Sequence, residues 1–271
     1  ERWGIARLLA DGSLDPTFDA GEIFYGQPES LALQPDGKVL MGGYQFCGNG
    51  TQVCIKRLNT DGSLDPTFNP GVGLNGNNEA ITSMRVRADG KILIAGIFDS
   101  FNGLPLHNMA LLNANGTVDT SFPNDLFNGT PSIRGTFPDG DMLVLGGFTR
   151  VAGVPKPHIA KVSVTGVLDP DFHAYFQFNS DTTANLYCAK VRADGRVIVG
   201  GSFTHCNGVS KPSIARLMPD GSLDPSFTTD GYTYGSFEFI TELADGRLLV
   251  AGNNNGYASN WITGLSRVLP D

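Results

Sequence analysis

The residues of this sequence best suited to acid–base chemistry are four glutamates, Glu29, Glu79, Glu238 and Glu242. Hydrolysis of a glycoside needs two carboxyl groups roughly 5–10 Å apart, one acting as acid and the other as base or nucleophile. These glutamates form no evident pair in the sequence, and no histidine triad or set of metal ligands accompanies them. The sequence therefore favours a protein that is not an enzyme and needs no cofactor, with a glycosidase-like enzyme as an alternative.

Four cysteines could carry redox chemistry or form disulfides: Cys47, Cys54, Cys188 and Cys206. They form no CxxC pair and no cluster with the spacing of a zinc site. Cys47 and Cys54 flank one short loop, so they could be bridged in an oxidising compartment, which leaves Cys188 and Cys206 as the second pair. The alternative is four reduced cysteines that pack as small apolar groups.

Aromatic and amide side chains in the least regular segments are the candidate ligand-binding residues. Aromatic faces beside amides suit a sugar, whose CH groups stack on a ring, and they suit a protein surface equally well. Individual rings that merely cap the protein's own core are the alternative. The candidates are Phe24, Tyr25, Asn77, Phe127, Tyr175, Phe176, Tyr232, Tyr234 and Trp261.

Composition limits the class of protein that must position these residues. The chain has 271 residues, a formal net charge of −8, 35 glycines and 16 prolines, which is typical of many short strands and turns. Only 19 lysines and arginines oppose 27 acids, so nucleic acid is not an expected partner. No apolar run approaches about 18 residues, so membrane insertion is not expected either.

Two phrases recur in order along the whole chain. One reads "QPDGKVLMGG" around Asp36 and returns around Asp89, Asp139, Asp194 and Asp245, at intervals of about 50 residues. The other reads "RLNTDGSLDPTF" in its second copy, opens the chain as "RLLADGSLDPTF", and ends at Phe122, Phe172 and Phe227 in later copies. Each repeat thus contains two segments in which Asp-Gly or a similar turn separates short apolar runs.

These phrases predict four strands per repeat, here called A to D. Asp-Gly between alternating apolar segments is a strong hairpin signal, with positive φ expected at both turn residues. Four strands in about 50 residues match a β-propeller blade. We therefore expect an all-β, five-bladed propeller of four-stranded antiparallel blades, closed by N- and C-terminal strands that share a blade. A solenoid, or part of a larger array, is the alternative. The chain would be one domain, 1–271, with repeats at 19–68, 69–122, 123–172, 173–227 and 228–271 plus 1–18.

The two phrases resemble the delta-60 repeat, a bacterial family of propeller-forming repeats with a pattern close to "QPDGKILVGG…RLNxDGSLDPTF". The third copy of the second phrase departs most, with Leu111 in place of Arg or Lys and Thr120 in place of Pro. The resemblance implies a secreted or cell-surface module of a longer, multidomain protein. It supplies no catalytic residues.

Residues that recur in every repeat are better explained as joints of the architecture than as one active site. We expect the repeated phenylalanines to fill the core and the repeated aspartates to fold back on local N–H groups and to pair with the strand C cations. A calcium site at "DGSLD" is an alternative, although the ligand pattern of an EF-hand loop is missing. The sets are Phe18, Phe68, Phe122, Phe172 and Phe227; Asp15, Asp65, Asp119, Asp169 and Asp224; and Arg7, Arg57, Lys161, Arg216 and Arg267.

Function is therefore expected in the segments that differ between repeats. Because strands alternate in direction, the A–B and C–D turns should lie on one face and the B–C and D–A connections on the other. Variable loops on a rigid scaffold usually carry binding. The sequence thus predicts a non-catalytic extracellular binding or adhesion module that recognises a cell-surface glycan or protein, with a structural spacer as the alternative.

Overall fold

The structure is a computed structural model that describes residues 4–21, 26–45, 55–74, 79–179, 182–228, 235–254 and 263–268. Throughout these residues the named elements are β-strands in antiparallel pairs, which confirms the all-β class. None of the described residues forms a helix long and apolar enough to cross a membrane. The chain divides into two compact units, Glu1–Ser132 and Ile133–Asp271, and each is described by itself. The single domain over 1–271 stays a prediction.

The first unit contains the three pairing strands A, B and C of two successive repeats. The second strand of each repeat lies between the other two, and the pairing of Tyr44 with Ala80 joins both sets into one six-stranded sheet. The strands are β1 (Gly26–Leu33), β2 (Val39–Gln45), β3 (Ile55–Leu58), β4 (Ala80–Val86), β5 (Ile92–Ile97) and β6 (Met109–Leu112), and β7 (Pro131–Thr136) spans the boundary to the second unit.

The second unit repeats the A–B–C arrangement as β7-β8-β11, β14-β15-β18 and β19-β20-β21. Two smaller sheets, β9-β10 and β13-β12-β16-β17, come from the connections between these strands. The strands are β8 (Met142–Gly146), β9 (Arg150–Val151), β10 (Val154–Pro155), β11 (Ile159–Val162), β12 (Phe176–Phe178), β13 (Thr182–Thr183), β14 (Asn185–Val191), β15 (Val197–Ser202), β16 (His205–Cys206), β17 (Val209–Ser210), β18 (Ile214–Leu217), β19 (Gly235–Glu242), β20 (Leu248–Asn254) and β21 (Thr263–Val268).

The Asp-Gly turns differ from the predicted geometry. In the turn between β4 and β5, the N–H of Arg87 donates to the Lys91 carbonyl at 2.8 Å, and the N–H of Gly90 donates to the Arg87 carbonyl at 3.0 Å. Gly90 has a φ of 81°, whereas Asp89 does not have a positive φ. The loop is thus a type I turn followed by one left-handed residue, and only the glycine needs the left-handed region. Asp89 instead accepts a hydrogen bond from the Lys91 N–H with its side chain, at 3.1 Å.

The predicted fourth strand is reduced to a single bridge in the complete repeats. Leu58 pairs with Leu64, and the Asp65 N–H donates to the Arg57 carbonyl at 2.9 Å, but the ladder ends there. The physical reason is local: the Asp65 side chain turns the chain toward Thr67, and a proline with no N–H follows it. The blades described here are therefore three-stranded with a bridged segment in the position of strand D.

The last glycine of the first phrase permits a close approach of backbones. Strand A shifts register opposite this glycine, as between Ile81 and Ser83. A Cβ added at Gly96 would lie 2.0 Å from the Ala80 carbonyl oxygen, which is far inside van der Waals contact. Equivalent approaches occur at Gly43, Gly201 and Gly252. The recurrent glycine is thus required by a β-bulge.

The core of each unit lies between consecutive sheets. Strands B and C contribute residues that alternate between two apolar clusters, because successive side chains of a strand point to opposite faces. In the first unit, Leu40, Ile81 and Ile94 share one cluster. In the second unit, Val199 lies in one cluster and Ile198 in the next.

Candidate functional site

The repeated aspartates form an internal ion-pair network, best seen at Asp65. One carboxylate oxygen accepts hydrogen bonds from the Thr67 N–H and hydroxyl, at 2.9 and 2.7 Å. The other accepts from Arg57 Nε at 2.7 Å and from Lys38 Nζ at 2.8 Å. Burial by itself raises the pKa of this carboxyl, but the hydrogen bonds from Lys38, Thr67 and Arg57 more than offset it and hold the pKa well below its usual value. Its side chain is 2% exposed, so it presents no site to a ligand.

The predicted pairing of the repeated aspartates with the strand C cations is confirmed. Nε lies 2.8 Å from the carboxylate in both the Arg7–Asp15 and Arg216–Asp224 pairs, and Lys161 Nζ lies 3.2 Å from Asp169. The predicted fold-back is also present, since each aspartate accepts the N–H of the residue two positions later. The side chain of Arg267 lies outside the described residues.

Two repeats depart from this network in different ways. Where Leu111 replaces the strand C cation, Lys91 Nζ reaches Asp119 at 2.5 Å, and this hydrogen bond and those from Ser121 lower the pKa of Asp119. In the next repeat, Asp141 stands where the others have Lys38, Lys91, Arg196 or Arg247. Burial and the neighbouring Asp139 charge raise the pKa of Asp141. The third repeat therefore carries an additional acid, which shares Lys161 with Asp139 and Asp169.

Hydrogen bonds from Arg57 and from the residue after the repeated phenylalanine join one repeat to the next. Arg57 Nη1 donates to the Ala114 carbonyl at 2.6 Å, and the Asn69 N–H donates to the Asn115 carbonyl at 2.7 Å. In the second unit, the His173 N–H donates to the Asp220 carbonyl in the same way, at 2.7 Å. A polar joint thus couples the residue after the repeated phenylalanine to the following C–D turn.

The repeated phenylalanines are core residues, as predicted. All five are at most 8% exposed: Phe18, Phe68, Phe122, Phe172 and Phe227. The guanidinium of Arg57 lies 4.8 Å from the centre of the Phe68 ring, and Arg216 lies at the same distance over Phe227. Phe172 packs edge-on against Phe137, with ring centres 6.0 Å apart. The recurrent residues therefore hold the fold together.

The predicted segregation of turns and loops to opposite faces is incomplete. In the second unit, the B–C connection forms the β16–β17 hairpin, which pairs with β12 from the preceding D–A segment. Asn207 Nδ2 donates to the Gly221 carbonyl in the C–D turn at 3.0 Å, and Lys211 Nζ donates to the Phe227 carbonyl at 2.7 Å. Because the hairpin folds back along its own blade, B–C loop residues contact the C–D turn.

The structure distributes the predicted binding residues unevenly. Phe127 and Phe176 are 2% and 6% exposed, so they present little surface to a ligand, and the alternative that rings cap the core applies to both. Tyr175 is 45% exposed. The remaining candidates lie outside the described residues: Phe24, Tyr25, Asn77, Tyr232, Tyr234 and Trp261.

The second predicted disulfide is not formed. Cys188 and Cys206 are free and buried, and they belong to different apolar clusters. Burial raises the pKa of each thiol to about 12, so both stay protonated and unreactive. Each packs as a small apolar group. Cys47 and Cys54 lie outside the described residues.

A groove of about 390 Å³ surrounds Tyr175 in the second unit. Two of its walls are the B–C loop and strand position D of the third repeat, and the third wall is the D–A segment that begins the fourth repeat. Ala174, 8% exposed, is its most buried member. The lining residues are Val154, Pro155, Lys156, Pro157, Leu168, Pro170, His173, Ala174 and Tyr175.

Hydrogen bonds fix the walls of this groove. The Tyr175 N–H donates to Asn207 Oδ1 at 2.9 Å, and the Tyr175 carbonyl accepts from the Asn207 N–H, also at 2.9 Å. Lys156 Nζ donates to the carbonyls of Phe172 at 2.5 Å and Pro170 at 3.3 Å. These hydrogen bonds fix the shape of the groove. The ammonium group of Lys156 is used in them and is directed at backbone carbonyls.

Among the lining residues, only Tyr175 is a binding candidate predicted from the sequence. Proline and alanine carry no chemical signal of a binding site by themselves. A signal does exist in the comparison of repeats, because Ala174 replaces an asparagine found 50 positions earlier at Asn124.

Two of the glutamates considered for catalysis, Glu79 and Glu242, have hydrogen-bond or ion-pair partners within the protein. Glu79 accepts a hydrogen bond from the Asp99 N–H at 3.1 Å, and Glu242 forms an ion pair with Arg192 at 2.8 Å. The described residues also contain no group of three or more His, Cys, Asp or Glu side chains able to hold a metal ion.

Solved structures similar to this chain are β-propeller proteins of varied activity. A streptogramin B lyase matches with a TM-score of 0.57 and 12% identity, over 98% of this chain and 72% of that one. A gluconolactonase from Xanthomonas campestris matches with a TM-score of 0.52 and 17% identity, over 97% and 77%. The extracellular domain of a protein assigned as a hybrid two-component system in B. thetaiotaomicron matches with 0.53 and 11%, over 96% and 30%. At these identities the likeness concerns the fold alone.

A search of curated proteins gave no match. The repeats themselves match a protein family over five segments, residues 1–18, 34–68, 87–122, 138–172 and 192–227, which together make up more than half of the chain. The predicted membership of a propeller-forming repeat family is thereby confirmed. The chain belongs to the family described as a beta-propeller domain of unknown function, DUF5122.

Proposed function

We propose that this protein is a non-catalytic binding module that recognises a partner protein through the Tyr175 groove. The observation that carries the proposal is the groove itself, a concave apolar surface beside an exposed tyrosine whose backbone is clamped by Asn207. Its volume falls in the range of roughly 300–1,000 Å³ that is usual for ligand sites. Tyrosine next to a preformed pocket is typical of binding hot spots.

The lining favours a protein partner over a glycan. A sugar needs several hydrogen-bonding side chains around its hydroxyls, and among the lining residues only Lys156, His173 and Tyr175 have polar side chains. Lys156 is engaged with backbone carbonyls. Three prolines and three aliphatic residues instead suit an apolar side chain of a protein.

Several finer features belong to this proposal. Five blades, closed by N- and C-terminal strands that share a blade, are the arrangement that five copies of the first phrase would produce. Display at the cell surface or secretion, within a longer multidomain protein, fits a binding role and the extracellular domain among the similar structures. A spacer without a ligand is the competing function.

Selection of random peptides against the purified chain, run beside a glycan array, tests the proposal. We expect peptide ligands whose affinity falls at least about tenfold in Tyr175→Ala, the loss typical of a hot-spot tyrosine. Tyr187→Ala is the matched control, since Tyr187 is 39% exposed but does not line the groove.

Three results would contradict the proposal. If no peptide is enriched over background, the protein-binding function is contradicted and the role of structural spacer is favoured. If only glycans bind, or if Tyr187→Ala weakens binding as much as Tyr175→Ala does, the Tyr175 groove is not a protein-binding site.

A further inference from the structure

The Tyr175 groove corresponds to a notch one repeat earlier in the chain, and there the notch is filled by the side chain of Asn124. Equivalent residues of the two repeats are 50 positions apart, so Pro105, His107 and Asn124 correspond to Pro155, Pro157 and Ala174. Asn124 Nδ2 donates to the Pro105 carbonyl at 2.5 Å, and Asn124 Oδ1 accepts from the His107 N–H at 3.1 Å. In the first unit this notch is therefore occupied by a side-chain amide.

The Tyr175 groove keeps the backbone carbonyl that accepts a hydrogen bond in the filled notch, but it lacks the backbone N–H groups that donate there. Lys156 N–H donates to the Thr149 carbonyl at 3.0 Å, so the next pair along the ladder, Arg150 and Pro155, is a non-hydrogen-bonded pair. The carbonyl of such a residue points away from its partner strand, as the Pro105 carbonyl does toward Asn124. The His107 N–H has no counterpart, because proline at 157 carries no N–H.

The second donor to the amide oxygen is also unavailable. Asn124 Oδ1 accepts from the Asp125 N–H at 2.9 Å in the filled notch. At the corresponding position in the groove, the Tyr175 N–H already donates a hydrogen bond to Asn207 Oδ1, at 2.9 Å. A ligand in the groove would thus find a backbone acceptor, the Pro155 carbonyl. It would find no backbone donor at the two places where the filled notch has the His107 and Asp125 N–H groups.

Charge complementarity further restricts the occupant. The lining contains no carboxylate, and its single ammonium, Lys156, is directed at the carbonyls of Phe172 and Pro170. A charged occupant would lose hydration without gaining a partner. The backbone groups and Lys156 therefore favour an occupant that is neutral and mostly apolar, and that carries one N–H donor and needs no backbone donor in return.

From this comparison we infer that the Tyr175 groove binds the indole of a tryptophan from the partner protein, with the indole N–H donating to the Pro155 carbonyl. Indole is the protein side chain that combines a large apolar ring with a donor and no acceptor. Its ring would pack between Pro157, Leu168 and Tyr175, which are neighbours suited to aromatic contact. The inference rests on the proposed protein-binding function and names the anchor.

The test uses N-acetyl-tryptophan amide as the probe with the intact chain, and follows backbone amide resonances by NMR titration. We expect shifts at Ala174 and Tyr175. N-acetyl-1-methyltryptophan amide, which keeps the ring but lacks the N–H, should bind about three- to tenfold more weakly, as expected for the loss of one hydrogen bond. Ala174→Asn, which copies the filled notch, should abolish the shifts while the unfolding temperature stays near the wild-type value.

Binding of the methylated probe as tight as that of the parent would overturn the inference, and so would shifts that persist in Ala174→Asn or lie away from the groove. If Ala174→Asn does not fold, the comparison of the two probes on the wild-type chain still decides. Selected peptides that depend on Tyr175 but contain no tryptophan would overturn the tryptophan anchor and leave the proposed function intact.

Discussion

Single residues show how this chain uses charge inside a small structure. Asp65 is buried, yet it stays ionised because two cations and two Thr67 donors surround it. A buried charge with complete pairing is tolerated, whereas removal of one member leaves the other charges without compensation. The repeated "DP" aspartate is therefore a structural centre on which Lys38, Arg57 and the next turn all depend.

Replacement of this centre should be far more costly than replacement of one cation. Asp65→Ala leaves Arg57 and Lys38 without their acceptor, and we expect a loss of about 3 kcal/mol in the free energy of unfolding. Arg57→Leu reproduces the situation at Leu111, where one lysine suffices, and should cost about 1–2 kcal/mol. Urea unfolding of both variants measures the difference, and a larger loss in Arg57→Leu than in Asp65→Ala would refute this view of the network.

At the scale of the structural element, the blade tolerates variation in where its cation comes from. Only the strand B side supplies it at Asp119, through Lys91, whereas both strand B and strand C supply cations around Asp65 and Asp224. The third repeat is the exception, because strand B supplies Asp141 to a site that already holds Asp139 and Asp169. Lys161 alone then faces three carboxylates.

The exception gives a stabilising substitution. Asp141→Lys removes a repelled acid and restores the cation of the other repeats, so we expect a gain of a few tenths to about 1 kcal/mol. Asp139→Lys makes the same change in charge two residues away but removes the 2.7 Å contact with Lys161 and the acceptor of the Asp141 N–H. It should therefore lower the unfolding temperature. Thermal unfolding of the pair decides, and equal shifts in both would mean that net charge alone is responsible.

At the scale of the whole molecule, the lowered pKa values predict an acid-sensitive fold. Hydrogen bonds from Thr17, followed by Arg7, lower the pKa of Asp15 from 3.8 to about 2, and the pKa values of Asp65, Asp119 and Asp224 are lowered as well. A carboxyl whose pKa is lower in the folded state stabilises the fold when the pH is above its pKa in the unfolded chain. This stabilisation is lost as the pH falls through its pKa in the folded state.

The expected result is an unfolding temperature that stays flat down to about pH 4 and then falls between pH 3.8 and about 2. Asp141 acts in the opposite direction, since its raised pKa relieves repulsion on acidification, but it is a single group. Scanning calorimetry across this range tests the sign. A fold that becomes more stable below pH 4 would show that the ion pairs do not contribute.

Sequence reasoning succeeded where a residue recurs and its role is the same in each copy. The phenylalanine core, the aspartate–cation pairs and the strand order within a blade were predictable for this reason. The turn type and the single-bridge strand D were not, because side-chain hydrogen bonds from residues such as Asp89 and Asp65 compete with the backbone ladder. The groove was missed because it arises where Ala174 replaces the longer side chain of Asn124, a difference that only a comparison of repeats at their 50-residue spacing shows.

The central claim is that recurrent residues build the fold while the Tyr175 groove serves binding, and one pair of variants tests it most directly. Phe172→Ala should lower the free energy of unfolding by about 3–5 kcal/mol, since this ring is 1% exposed. Tyr175→Ala should change it by less than about 1 kcal/mol while binding of the selected peptide is lost. If Tyr175→Ala instead destabilises the protein as much as Phe172→Ala does, or leaves peptide binding unchanged, the groove is part of the scaffold and the claim is wrong.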